Sequence, residues 1–101
     1  MEMLNVLKAI SEENRMKILN LLLKHNYCVR ALSTELNISE AAVSQHIKVL
    51  KEAGLLKGEK KGHYMHYDVN REVLNELAKQ IEEMASIKKE TCKHKKEDCK
   101  A

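Results

Sequence analysis

Two groups of residues in this chain could do chemistry. Cys92-Lys93-His94 and then Cys99 bring two thiols and an imidazole within eight residues near the C-terminus. Thiolate and imidazole are soft or borderline donors, suited to zinc, cadmium, lead, copper(I) or arsenic(III). Three such donors so close together could close a small chelate, with Cys28 or a group from a second subunit completing it. Flanking Lys93, Lys95 and Lys96 would favour thiolate while resisting a dication. The same thiols allow two other accounts. Cys28 with Cys92 or Cys99 could form a disulfide or polysulfide bridge, or the tail could be lysine-rich with free cysteines.

The second group is residues 39–56, SEAAVSQHIKVLKEAGLL. Val43, Ile47 and Leu50 recur at the i, i+4, i+7 spacing of a buried helical stripe. The opposite face carries Ala41, Ala42, Gln45 and Lys48, with Ser44 and His46 on its flanks. Small residues followed by amide, imidazole and ammonium groups suit a helix whose N-terminal half enters a DNA major groove. Ser39 is placed to cap the first turn and Gly54 to end the helix. An ordinary amphipathic surface helix would share the stripe, so the neighbouring elements decide between the two.

No nucleophile motif, glycine-rich phosphate loop or pair of catalytic carboxylates stands out. Ser44 and His46, two residues apart, point in different directions on a helix. The chain is not expected to be an enzyme.

With 101 residues, no proline, no phenylalanine and no tryptophan, the expectation is one mostly helical domain with an aliphatic core. A chain this short buries about 60–65% of its unfolded surface, so association would help it. No apolar run approaches a membrane span and no signal peptide is apparent. A cytoplasmic protein with reduced cysteines is expected; three cysteines do not suit a simple intrachain disulfide framework. The formal charge of +3 comes entirely from the tail, where six lysines from residue 86 onward face three acids. A basic tail alone does not announce a nucleic-acid binder.

Elements must hold these groups. Met3, Leu4, Leu7 and Ile10 predict a short first helix. Ser11 is expected to start a second, with Glu12 and Glu13 in its first turn, where the helix dipole favours acids. Its apolar run, including Ile18, Leu19, Leu22 and Leu23, points to a buried central position. Residues 29–36 predict a short third helix with Leu32 and Leu36 inward and Arg30, Ser33 and Thr34 outward. Asn37-Ile38-Ser39 is then a tight turn into the helix at 39–56, which makes the pair a helix-turn-helix. Residues 55–69 switch to period two around Lys60-Lys61-Gly62-His63, predicting a β-hairpin. A hairpin directly after a helix-turn-helix is a wing, and Lys57, Lys60, Lys61 and His63 could touch phosphates or a minor groove. Asn70 is a candidate cap for a long last helix striped by Val73, Leu74, Leu77, Ile81 and Met84. That stripe exceeds what a small domain needs for itself. Leu4 and Leu7 of the first helix with Leu77, Ile81 and Met84 of the last therefore read as a dimer interface. The division expected is 1–87 for DNA binding and dimerisation and 88–101 for a Lys/Cys/His-rich tail.

Arg15 with Ile18-Leu19 and Leu21-Leu22, then Val43-Ser44-Gln45-His46-Ile47, Leu50, Ala53-Gly54-Leu55-Leu56, Gly62 and Tyr67 resemble the ArsR/SmtB family of metal-responsive repressors, over roughly residues 7–84. The resemblance implies a homodimeric winged helix-turn-helix, joined through its first and last helices. It further implies binding to an inverted-repeat operator in double-stranded DNA and release by an inducer. Carried over to matching positions, Ala42, Ser44, Gln45 and His46 would face DNA, with Lys48 nearby and Ser33 and Thr34 holding the flanking backbone. Gln45 can pair with adenine N6 and N7. The family's Cys-Val-Cys pair appears here as Cys28-Val29-Arg30, with one sulfur missing. Its zinc site on the last helix finds no histidine between residues 71 and 84. The candidate metal donors are therefore Cys92, His94 and Cys99, with Cys28 as a further one. Two alternatives stay open: a repressor of the same fold that responds to thiol oxidation or sulfide, and a winged-helix protein-interaction module.

Overall fold

The computed structural model describes residues 2–91. The order is α1 (Met3–Ile10), α2 (Glu13–Lys24), α3 (Val29–Leu36), α4 (Glu40–Glu52), β1 (Leu56–Lys61), β2 (Tyr64–Val69) and α5 (Arg71–Ala85). This is the expected winged helix-turn-helix, mostly α with one small antiparallel hairpin.

Local chemistry sets most boundaries. Ser39 Oγ accepts from the Ala42 N–H at 3.0 Å and starts α4. Gly54, at φ 80°, ends it. Leu55 N–H donates to Leu50 O and Gly54 N–H to Lys51 O, both at 2.9 Å. This paired 6→1 and 5→2 bonding satisfies carbonyls that a helix end leaves bare. The turn between α3 and α4 repeats the motif with asparagine in the left-handed position. Asn37 sits at φ 54°, Ile38 N–H donates to Ser33 O and Asn37 N–H to Thr34 O.

One expectation shifts by a residue. Ser11 closes α1 rather than opening α2: its hydroxyl donates to Lys8 O at 2.9 Å. The cap of α2 is Glu12, whose carboxylate accepts from the Arg15 N–H at 2.8 Å. Asn70 precedes α5, but its side chain makes no capping bond. Its backbone N–H instead donates to Leu55 O at 2.8 Å, which fixes where α5 leaves the sheet.

The core is aliphatic, as the composition requires. Ile18 of α2, Leu32 of α3, Val43 and Leu50 of α4, and Leu55 are fully shielded from solvent. From α1 it is Val6 and Ala9 that enter the core, while Leu4 remains 60% exposed. Successive helical residues are about 100° apart, so a face centred on Met3, Val6 and Ile10 turns Leu4 outward. Leu77 of α5 is buried in the protomer's own core, whereas Ile81, Met84 and Ile87 beyond it are 45%, 59% and 75% exposed. The expected interface stripe on α5 therefore splits. Leu77 closes the monomer, and only the later residues form an open apolar strip beside α1. Met3, Gln80, Glu83, Met84 and Ile87 line a shallow hollow there.

The hairpin pairs Leu56 with Val69 and Lys61 with Tyr64 around the two-residue turn Gly62-His63. Alternation puts Lys57, Glu59 and Lys61 on one face and Gly58 and Lys60 on the other. Among the described residues, no helix is long and apolar enough to cross a membrane.

Candidate nucleic-acid interface

On α4, Val43, Ile47 and Leu50 are buried, and Ala41, Ser44, Gln45 and Lys48 are exposed on the other side. Ala42 is half-buried, its amide bound to the Ser39 cap. The helix is thus held by its apolar stripe and by motifs at both ends. Its small and polar face stays open, with no described protein group engaging the Gln45 amide or the Lys48 ammonium. An unengaged amide on a rigid helix can present a donor and an acceptor together, which is what a base edge requires.

His46 is placed differently. Its Nδ1 lies 3.4 Å from Arg15 Nη1 and 3.7 Å from Glu12 Oε2, with 19% of its side chain exposed. One edge of the ring is therefore committed to α2, and only the other could meet DNA. The Glu12 carboxyl is held below the usual glutamate range, chiefly by the hydrogen bond from the Arg15 backbone N–H. Desolvation opposes this, and the bond from Asn14 and the charge of Arg15 reinforce it.

Ser33 and Thr34 each make a hydrogen bond inside the protein. Ser33 Oγ donates to Ile38 O, and Thr34 Oγ1 donates to Arg30 O at 3.1 Å. The Ser33 bond braces the turn that aims α4, and the Thr34 bond lies within α3 on an exposed face.

The wing brings Lys57, Lys60, Lys61 and His63 to the surface, all exposed. Lys61 Nζ is 3.9 Å from Glu59 Oε1, an exposed pairing worth little in water. His66 Nε2 lies 3.2 Å from Asp68 Oδ1. Between α4 and the wing runs a cleft of about 300 Å³ lined by Ser44, Lys48, Lys51, Glu52 and Tyr67. Lys51 was missed by the sequence pattern because it sits one turn beyond the groove-entering half of the helix. Its ammonium folds toward the wing at Gly58. A side-chain carbon there would stand 3.0 Å from Met65 Cε, 3.3 Å from Tyr67 Cε1 and 3.5 Å from Lys51 Nζ. The lysine-glycine pair could have been found only by knowing that α4 and β1 meet.

The candidate metal donors Cys92, His94 and Cys99 lie outside the described residues. Cys28 is a free, exposed thiol at the N-cap of α3. It lines a cavity of about 340 Å³ with Tyr27, Tyr64, Met65 and His66. Among the described residues, no three His, Cys, Asp or Glu side chains gather as a metal site. The described residues therefore do not by themselves fit a metal ion.

Comparison with known proteins agrees with this geometry. Residues 12–57, from the cap of α2 to the start of the wing, match the profile described as bacterial regulatory protein, arsR family. The transcriptional repressor SdpR of Bacillus subtilis (strain 168) is 36% identical over 72 residues, covering 71% of this chain and 80% of SdpR. The cadmium resistance transcriptional regulatory protein CadC homolog of Staphylococcus aureus is 32% identical over 92 residues, covering 86% of this chain and 76% of that protein. Among solved structures, the homodimeric winged helix-turn-helix DNA-binding domain of a Mycobacterium bovis protein superposes with a TM-score of 0.65 at 26% identity. That alignment covers 80% of this chain and 75% of the other. A capped helix with a bare polar face, a basic hairpin beside it and these relatives lead to one assignment: the chain belongs to the ArsR family of DNA-binding transcriptional regulators.

Proposed function

We propose that the chain is a homodimeric, cytoplasmic transcriptional repressor that binds an inverted-repeat operator and is released by an inducer, a soft metal or metalloid ion. The observation that carries the DNA half is the exposed, unengaged face of Ser44, Gln45 and Lys48 on a helix held by motifs at both ends. In this reading Gln45 reads a base edge, while Ser44, Lys48 and the wing residues Lys57, Lys60, Lys61 and His63 hold the backbone. Leu4, Ile81 and Met84, with Leu7 beneath them, join two protomers. Two recognition helices would then stand about 34–36 Å apart, matching successive major grooves on one side of a duplex.

For the inducer, the support is the exposed Cys28 thiol, the tail donors Cys92, His94 and Cys99, and a relative named for cadmium resistance. The described residues complete no site, so the ligand set in this reading includes the tail or the partner subunit. An exposed thiol equally favours a second reading, in which oxidation or polysulfide bridging releases the DNA.

The deciding experiment titrates operator-bound protein with zinc, cadmium, lead, copper(I), arsenite and polysulfide, in the full chain and after deletion of residues 88–101. Release by one metal in the full chain and none after deletion supports the tail as sensor. Metal release that survives deletion removes the tail from the reading. Release by polysulfide alone selects the thiol switch. A protein-interaction module would show no operator preference and no steep loss of DNA binding with salt.

A further inference from the structure

Arg15 joins three elements through one side chain. From α2 its Nε donates to Ala9 O at 2.6 Å and its Nη2 to Lys8 O at 3.3 Å, carbonyls of the last turn of α1. Its Nη1 faces His46 Nδ1 of α4 at 3.4 Å. A guanidinium at a helix C-terminus satisfies bare carbonyls and complements the dipole. Here the same group also meets the recognition helix. A cavity of about 310 Å³ lined by Asn5, Lys8, Arg15, Val49 and Glu52 leaves the junction of α1, α2 and α4 open on one side. The side chain is therefore the polar tie across a seam that packing alone does not fill.

The tie has a chemical consequence. Arginine is always protonated and has no acceptor, so a ring nitrogen facing it must carry a lone pair. Glu12 Oε2 would prefer a proton on Nδ1, but it is farther away, at 3.7 Å, and already accepts from the Arg15 N–H at 2.8 Å. Nδ1 is thus the acceptor and the ring proton sits on Nε2, on the opposite edge. No described protein group takes that second donor.

We propose that Arg15 is a positioning residue for DNA binding: it ties the recognition helix to the carbonyl end of α1 and holds His46 as the Nε2–H tautomer, leaving Nε2–H to donate to a phosphate oxygen of the duplex. This rests on the reading of α4 as the DNA-contacting helix. It adds a link between two faces of the protein. The helix that borders the open apolar strip and the helix that enters the groove share one cation. A shift of α1 on association therefore changes the hydrogen bond that orients His46.

Two measurements test it in the full chain. The first uses two-bond ¹⁵N–¹H correlations of the histidine rings, without DNA. They should show His46 protonated on Nε2 at neutral pH, and Arg15→Gln should give a tautomer mixture with the fold retained. The second is operator affinity in a double-mutant cycle. Arg15→Gln should weaken binding about threefold to tenfold when His46 is present, the range for one lost hydrogen bond, and less than about twofold when His46→Gln is already in place. Should Arg15→Gln fail to fold, Arg15→Lys keeps the charge and stem but not the planar fork, and the same two readouts apply. A ring protonated on Nδ1, or equal losses in both backgrounds, overturns the Arg15 tie. No operator preference in the unsubstituted protein overturns the functional reading and the phosphate contact with it. A wrong tautomer in a protein that binds its operator overturns the tie alone.

Discussion

Replacing Gln45 with alanine separates reading from holding. Gln45 is exposed on α4 and no described protein group binds its amide, so the change breaks nothing inside the protomer. Alanine is the slightly better helix former by a few tenths of a kcal/mol. The thermal midpoint should therefore stay level or rise by about 1–3 °C. On DNA the effect is opposite in sign. A paired amide–adenine contact discriminates by about 1–3 kcal/mol, so two subunits lose about 2–6 kcal/mol, at least about thirtyfold in preference for the operator. Because no phosphate contact is removed, the slope of log affinity against log salt should not change. The assay is fluorescence anisotropy on operator and scrambled duplexes of equal length across a salt series, with calorimetry on the free protein. Equal losses on both duplexes, or a changed salt slope, would show that Gln45 serves the backbone rather than a base. A lowered thermal midpoint would show that it has an internal partner.

The other expectations are simpler. Lys51→Gln should weaken operator and random duplex alike and lower the salt slope by about 1.8 for the dimer, one phosphate per subunit; an unchanged slope would leave the cleft between α4 and the wing out of DNA binding. Leu77→Ala should reduce stability by about 2–5 kcal/mol, as for a buried leucine. Met84→Glu should instead yield folded monomers, seen as a lower mass in sedimentation equilibrium with unchanged circular dichroism. Glu12 has its carboxyl pKa lowered from the ordinary value of 4.5. Its contribution is present above the unfolded-state pKa and disappears as pH falls through the folded-state pKa. Glu12→Gln should therefore lower stability at neutral pH and converge with the parent as pH falls, flattening the acid limb of a stability–pH curve measured by urea unfolding.

The stripe of Val43, Ile47 and Leu50, the Ser39 cap and the Gly54 terminator were legible because each depends on a few neighbouring residues. The wing was legible from its period of two. What depended on distant partners was not. Nothing in the local pattern says that His46 meets Arg15, 31 positions away, or that Lys51 reaches over Gly58. Nor does it reveal that Leu77 fills the protomer while Met84 is left bare. Nor does the stripe of Met3, Leu4, Leu7 and Ile10 show that Val6 and Ala9 are the residues of α1 that enter the core, with Leu4 left exposed. Asn37 in the left-handed region was missed for another reason. Asparagine in that position is a minority choice, and the sequence near it signals a turn without its geometry.

The wing is six residue pairs closed by a two-residue turn, and this makes its length a quantised quantity. Lengthening both strands by one residue would advance the lysine tip by about 3.3 Å per added pair. A single inserted residue would swap the outward lysines with the row of Gly58 and Tyr67. Relatives that reach further along a duplex should therefore differ from this chain by even-numbered insertions on either side of Gly62.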